Sequence, residues 1–186
     1  MLDQLMDLVK KHAGDAIVNN PDIPNEKNDA AINEASSSIS GGLQNMFSQG
    51  NVQDIMKMFS SGGNAANSAA GQELSGGFIQ NLMDKFNLNQ SQAQSVSDKV
   101  VPGVLEDMVS KTNDPSDKSF DIQGIFNSIS GGQTAGFNMQ GMLDKFKGAK
   151  FDIDGDGDTD LQDLMALVKG GSKGNLMDKV KGLFGG

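Results

Sequence analysis

The chain of 186 residues contains no cysteine, no tryptophan and no tyrosine, and only one histidine and four prolines. The missing cysteines exclude disulfides, thiolate catalysis and Cys-ligated zinc, without fixing a compartment. Ten Phe are the only aromatic side chains, so a core must draw on aliphatic residues and on eleven Met, whose thioethers fill irregular gaps. Basic residues are outnumbered, and the net charge of −9 excludes general nucleic-acid binding, which needs clustered Lys and Arg against phosphate. The same charge disfavours docking on anionic lipid. Long apolar runs are absent too, and no stretch approaches the length of a membrane span. The opening MLDQLMDLVKK has neither a basic leader nor a continuous apolar run, so no signal peptide is expected and the expected location is cytoplasmic.

What is present is helical periodicity. Alternating strand patterns are missing, and apolar residues recur at helical spacing nearly everywhere, which predicts an all-α fold, a compact array of short helices. Leu2, Leu5, Met6 and Val9 mark an opening helix, closed by Asn19, Asn20, Pro21 and Pro24. Ala31, Ile32, Ala35, Ile39, Leu43, Met46 and Phe47 outline a longer one with a bend expected at Gly41-Gly42. Val52, Ile55, Met56 and Phe59 give a short helix, and SSGGNAANSAAG (60–71) reads as a flexible linker by composition. The pattern resumes with Leu74, Phe78, Ile79, Leu82, Met83 and Phe86. Asn89 is a good N-cap for a helix that turns Ala93, Val96, Val100 and Val101 inward. Pro102 is expected to break that helix and to head the next, which carries Val104, Leu105 and Met108. Further short helices are marked by Ile122, Ile125, Phe126 and Ile129, then by Met139, Met142, Leu143 and Phe146. Two more are expected at Leu161–Val168 and around Leu176, Met177 and Val180. A local theme recurs in NLMDKF (81–86), GMLDKF (141–146) and NLMDKV (175–180) at irregular spacing, a short amphipathic helix used several times rather than a solenoid period. The expected division is a helical domain over 1–148 and a C-terminal unit over 149–186.

That unit opens on FDIDGDGDTDLQDLMALV (151–168), with six aspartates between two apolar stretches. Counted from Asp152, carboxylates fall at positions 1, 3, 5, 7, 9 and 12 (Asp152, Asp154, Asp156, Asp158, Asp160, Asp163) and Gly157 at position 6. This is the register of a twelve-residue EF-hand calcium loop. A hard cation takes six or more oxygens at about 2.3–2.6 Å, and the chain must wrap around it to deliver them. Gly157 supplies the positive φ of the sharp turn. The Asp158 carbonyl serves at position 7, Asp160 binds directly or through water, and Asp163 closes the site from the first turn of the following helix. An acidic linker is the competing reading, but an empty loop would hold mutually repelling charges within a few ångströms. The D-x-D motif of phosphatases would need a buried strand before it and a large domain after it. Thr159 stands where an aliphatic residue joins paired loops, and position 12 is Asp rather than Glu, so the run resembles the calcium repeats of dockerins more than calmodulin. Dockerins carry two such repeats and this chain carries one, so cohesin docking is not implied.

Outside the loop, FNLNQSQAQSVSDKVVPGVLEDMV (86–109) resembles the YidB-like bacterial family of unknown function. Leu88 and Asn89 stand at the start of its segment, Ala93 in a small-residue helix and Val101-Pro102 at that helix's end, and the tail KVKGLFGG (179–186) is similar to the family's ending. The resemblance implies an all-α fold and no catalytic residues. No enzyme constellation stands beside it: His12, next to Lys10 and Lys11, reads as solvated, Glu106-Asp107 reads as an exposed helix face, and no G-x-S-x-G, Walker or H-E-x-x-H motif occurs. Two functions are expected to compete. One is a non-catalytic calcium-binding protein of structural or interaction role, in which the ion stiffens the C-terminal helices. The other is a self-assembling helical scaffold, a homo-oligomer, in which calcium is incidental. A protein partner is implied without being identified.

Overall fold

The computed structural model describes residues 2–114, 116–117 and 120–148, and among these the regular structure is entirely helical. Seven α-helices follow in order: α1 (Leu2–His12), α2 (Asn28–Ser48), α3 (Val52–Ser60), α4 (Ala69–Phe86), α5 (Gln90–Thr112), α6 (Ile122–Ile129) and α7 (Met139–Gly148). A π-helical turn (Gly14–Val18) follows α1, and single 3-10 turns precede α2 and α4. Helix α1 packs on α2 and α5, and α4 packs on the same two, so these four helices close a ring. Helix α3 lies against α4, α2, α5 and α7, and α6 joins α2 to α7.

The helical spacing of the apolar residues is what fills this ring. Ala31, Ala35, Ile39 and Leu43 of α2, Phe78 and Leu82 of α4, and Ala93, Val100, Val101, Val104 and Leu105 of α5 are wholly buried. In α1 the burial stripe is Leu5, Leu8 and Val9, whereas Leu2, placed on that face by its spacing, is 50% exposed at the free end. Caps start the helices where the sequence marks them. Asn89 and Gln92 form a capping box: the Asn89 side chain accepts from the Gln92 N–H at 3.0 Å and the Gln92 side chain accepts from the Asn89 N–H at 2.9 Å. Asn87, in the left-handed region at φ 57°, closes α4 two residues earlier.

Two local expectations change. Pro102 lies inside α5, which runs unbroken from Gln90 to Thr112, so the Pro-headed second helix implied by the spacing and by the family resemblance is one helix with its predecessor. A proline in a helix interior costs about 3 kcal/mol. Val100, Val101, Val104 and Leu105 flank it with no exposed surface. Full burial is worth about 1.5–3 kcal/mol for each such side chain, so packing outweighs the proline. Asp98, whose carbonyl loses its helical donor, is exposed, and water can satisfy it. Helix α2 runs through Gly41-Gly42 as the one long helix expected there. The stretch 60–71, a linker by composition, carries a 3-10 turn with Ala65 buried, and its Ser68 caps α4 by accepting from the Gly71 N–H at 3.0 Å.

Glycines let α4 approach its surroundings. A Cβ at Gly42 would run into Cδ2 of Leu74, and one at Gly71 would run into the carbonyl oxygens of Ala65 and Ala66. Beside Gly41 there is open space. Gly41→Ala is therefore expected to stabilise the fold by about 0.5–1 kcal/mol, the helix-propensity gain. Gly71→Ala should destabilise by about 1–3 kcal/mol through overpacking against rigid backbone. Urea unfolding of the two variants checks the opposite signs, and equal midpoints would contradict this packing.

Candidate functional site

The six carboxylates expected to hold calcium, Asp152, Asp154, Asp156, Asp158, Asp160 and Asp163, lie outside the described residues, as do the two C-terminal helices expected at Leu161–Val168 and around Met177. What is described is the attachment that precedes them. Helix α7 begins at Met139 and its last residue, Gly148, stands four residues before Asp152 in the sequence. Met139, Met142 and Leu143 are buried. The Gln123 side chain, at the start of α6, accepts from the Met139 N–H at 3.2 Å and donates to the Thr134 carbonyl at 2.9 Å. The Thr134 hydroxyl in turn donates to Asn127 Oδ1 at 3.0 Å and meets the buried Ser130 hydroxyl at 3.1 Å. The Gly-rich turn between α6 and α7 is thus held at both ends by side chains of α6.

Within the described domain several carboxylates are met by lysines, and Asp22 accepts from the Gln92 side-chain amide of α5 at 2.8 Å. Lys85 of α4 lies 2.7 Å from Glu34 of α2, whose other oxygen accepts from Ser38 at 3.3 Å, and Asn81 donates to that Ser38 at 2.8 Å. Lys111 lies 2.7 Å from Asp117, and this hydrogen bond raises the lysine's pKa. Asp114 is held below its ordinary pKa by the hydroxyl and N–H of Ser116, at 2.6 and 2.8 Å.

The most buried of the inter-element pairs to involve the histidine joins α1 to α5. Asp107 Oδ2 accepts from Lys11 Nζ at 2.7 Å and lies 2.8 Å from His12 Nε2. The His12 and Asp107 side chains are 24% and 26% exposed. The imidazole lies over Gly103, one turn before Asp107, where a Cβ would collide with the ring. His12 is therefore a half-buried docking residue rather than a solvated one, and only Glu106 of the Glu106-Asp107 pair is exposed. Burial raises the Asp107 pKa, but the hydrogen bonds from Lys11 and then His12 outweigh it and hold the carboxyl below its ordinary 3.8. Contacts 95 and 96 residues apart leave no local trace in sequence; the nearest signal was Gly103 spaced four residues before an acid.

Among the described residues no three His, Cys, Asp or Glu side chains are grouped to hold a metal ion. The concavity along Gln90, Ser91, Gln94, Ser95, Asp98 and Lys99 is an open groove lined by residues of α5 alone. No described helix is long and apolar enough to cross a membrane. No family model, no curated protein and no solved structure matches the chain.

A depressed folded-state pKa means that Asp107 stabilises the fold above its unfolded value and that this contribution is lost as pH falls through the folded value. Asp107→Asn should cost about 1 kcal/mol near neutrality, a partly exposed ion pair with two donors being worth about that much. The difference from wild type should close as pH falls below the ordinary 3.8 and through the lowered folded-state value. Denaturant unfolding of both proteins across the acid range checks the sign; a gap that widens in acid would contradict it.

Proposed function

We propose that this chain is a calcium-binding helical protein with a structural or interaction role and no catalysis, in which the ion held by Asp152, Asp154, Asp156, Asp158, Asp160 and Asp163 stiffens the C-terminal helices. The observation that carries this reading is the full register of the loop: carboxylates at the liganding positions, Gly157 at the turn, and a helical apolar pattern starting at Leu161. The resemblance of 86–109 to the YidB-like family adds an all-α, activity-free context. The cytoplasm is its proposed location. Calorimetry on the full chain should give one calcium site, with a dissociation constant between about micromolar and millimolar, since a single unoptimised loop binds weakly. Asp152→Ala or Asp156→Ala should abolish the heat. A wild-type chain that gives no calcium heat, with no ion carried through purification, removes the reading.

The second reading is a self-assembling scaffold. It is favoured by apolar residues that rim the core without being enclosed by it: Met6, Phe47, Ile79, Met83, Phe86 and Phe137 are only partly buried. On this reading a homo-oligomer forms through residues 137–186, and calcium leaves its size unchanged. Light scattering on the full chain and on a chain ending at Lys150, each with calcium and with chelator, separates the two. Association that depends on the tail but not on calcium favours the scaffold, and a monomer in all four samples ends it.

A further inference from the structure

The start of α1 leaves apolar side chains in water. Leu2 is 50% exposed and Met6, one turn on, is only partly buried, while Leu5 and Val9 beside them are fully enclosed. Asp3 and Asp7, each one residue further along, form a second row on the solvent side of the first, because residues four apart share a helix face. Both aspartates are exposed, and among the described residues neither has a hydrogen bond or an ion pair. Other partly buried apolar side chains have neighbours that are already engaged. Next to Met83 of α4, Asp84 accepts from Gln80 at 2.9 Å and Lys85 is taken by Glu34 at 2.7 Å. Phe47 has Phe126 against it, edge to face. At the start of α1 an apolar row and unpaired charge of one sign lie side by side.

A complementary pattern stands in KGNLMDKVKGLF (173–184), which lies outside the described residues. Leu176, Met177, Val180, Leu183 and Phe184 recur there at the spacing of one helix face, and at that spacing Lys179 and Lys181 fall on its two borders. Over 169–186 four lysines stand against one aspartate, whereas residues 1–148 hold seventeen acids against ten lysines. The domain therefore attracts this segment, and two such segments repel each other. Twenty-seven residues separate Gly148 from Leu176. At about 3.3–3.6 Å per residue they reach any point on a domain whose radius of gyration is about 15 Å. A segment this short is marginal as a helix alone, so its stripe needs a surface to cover it.

We propose that the start of α1 is the seat of the chain's own C-terminal segment: the apolar face of 173–184 covers Leu2 and Met6, and its lysines pair with Asp3 and Asp7. The contact is independent of the calcium site, so its test is run in chelator. Amide exchange of the full chain, followed by mass spectrometry, reads the protection of 173–184. The double variant Asp3→Lys/Asp7→Lys should speed that exchange about threefold to tenfold, the scale of two exposed ion pairs. Adding Lys179→Asp and Lys181→Asp to it should restore the wild-type rate. Leu2→Gln, a change at a side chain already half in water, should speed exchange while the core stays intact. Wild-type protection should survive tenfold dilution and weaken with salt. Exchange in wild type as fast as in a free peptide overturns the proposal, and so does a rate unmoved by reversing Asp3 and Asp7. Protection that disappears on dilution assigns the segment to a second copy of the chain and overturns it as well.

Discussion

The closeness with which α4 sits between α2 and α5 is the constraint on which the ring of helices depends. It is reached through residues that lack bulk where bulk would intrude: Gly42 of α2 under Leu74, and Ser97 of α5, fully buried, donating to the Ser75 carbonyl at 3.4 Å, while Gly71 lets the turn before α4 fold back on the helix start through the carbonyls of Ala65 and Ala66. Glycine in a helix is costly, about 1 kcal/mol relative to alanine, and short helices are marginal alone. Here the cost is offset by burial that only a close approach allows. Lys85, Glu34, Ser38 and Asn81 then fix the pairing of α2 with α4 by polar contacts at the edge of the same interface. Helices α3, α6 and α7 lie against the ring, and the edge-to-face pair of Phe47 and Phe126, with centroids 6.3 Å apart, ties α6 to the end of α2.

Fold class and most of the core could be read from periodicity because burial here follows the helical repeat faithfully. Ile39, Phe78, Val104 and Ile125 sit where a 3.6-residue spacing puts them. The N-cap at Asn89 was legible for the same local reason, since its bond joins residues three apart, and the structure adds the return bond of Gln92. What escaped was tertiary. Pro102 is tolerated because the valines and leucine around it are buried by other helices, and no local propensity can weigh that. Leu2 stays outside the core because none of the described residues covers the start of α1. The stretch 60–71 has the composition of a linker, but Ala65 and Ala70 have neighbours to pack against. His12 and Asp107 meet across 95 residues, and in sequence each looks like one more solvated charge. For the candidate site the position is reversed: its carboxylates were legible by spacing alone, while their arrangement in space lies outside the described residues.

Charge balance separates the two parts of the chain. In the described domain, several acids have ammonium groups within bonding distance: Glu34 with Lys85, Asp107 with Lys11, Asp117 with Lys111. Each is a monovalent solution to the desolvation of a carboxylate; the first two also join helices, α2 to α4 and α1 to α5, and the third ties the loop after α5 back to that helix. The acidic loop has no such solution in its own sequence. Between Phe151 and Val168 there are six aspartates and no lysine, so of the net charge of −9 six units lie here and three are left for the rest of the chain. Like charges at the spacing of alternate residues repel, and on the proposed calcium reading a divalent cation is the counter-charge they would share.

The helices that lie against the ring show what a short helix of this chain needs. Helices α3, α6 and α7 each turn an apolar stripe inward: Val52, Ile55, Met56 and Phe59, then Ile122, Ile125, Phe126 and Ile129, then Met139, Met142 and Leu143. Asp121 caps α6 and Asn138 caps α7 by accepting from the N–H three residues on, while Asn51 makes no such bond at the start of α3. A helix of eight to ten residues is marginal alone, so the burial of the stripe by neighbouring helices, rather than the cap, is what all three have in common.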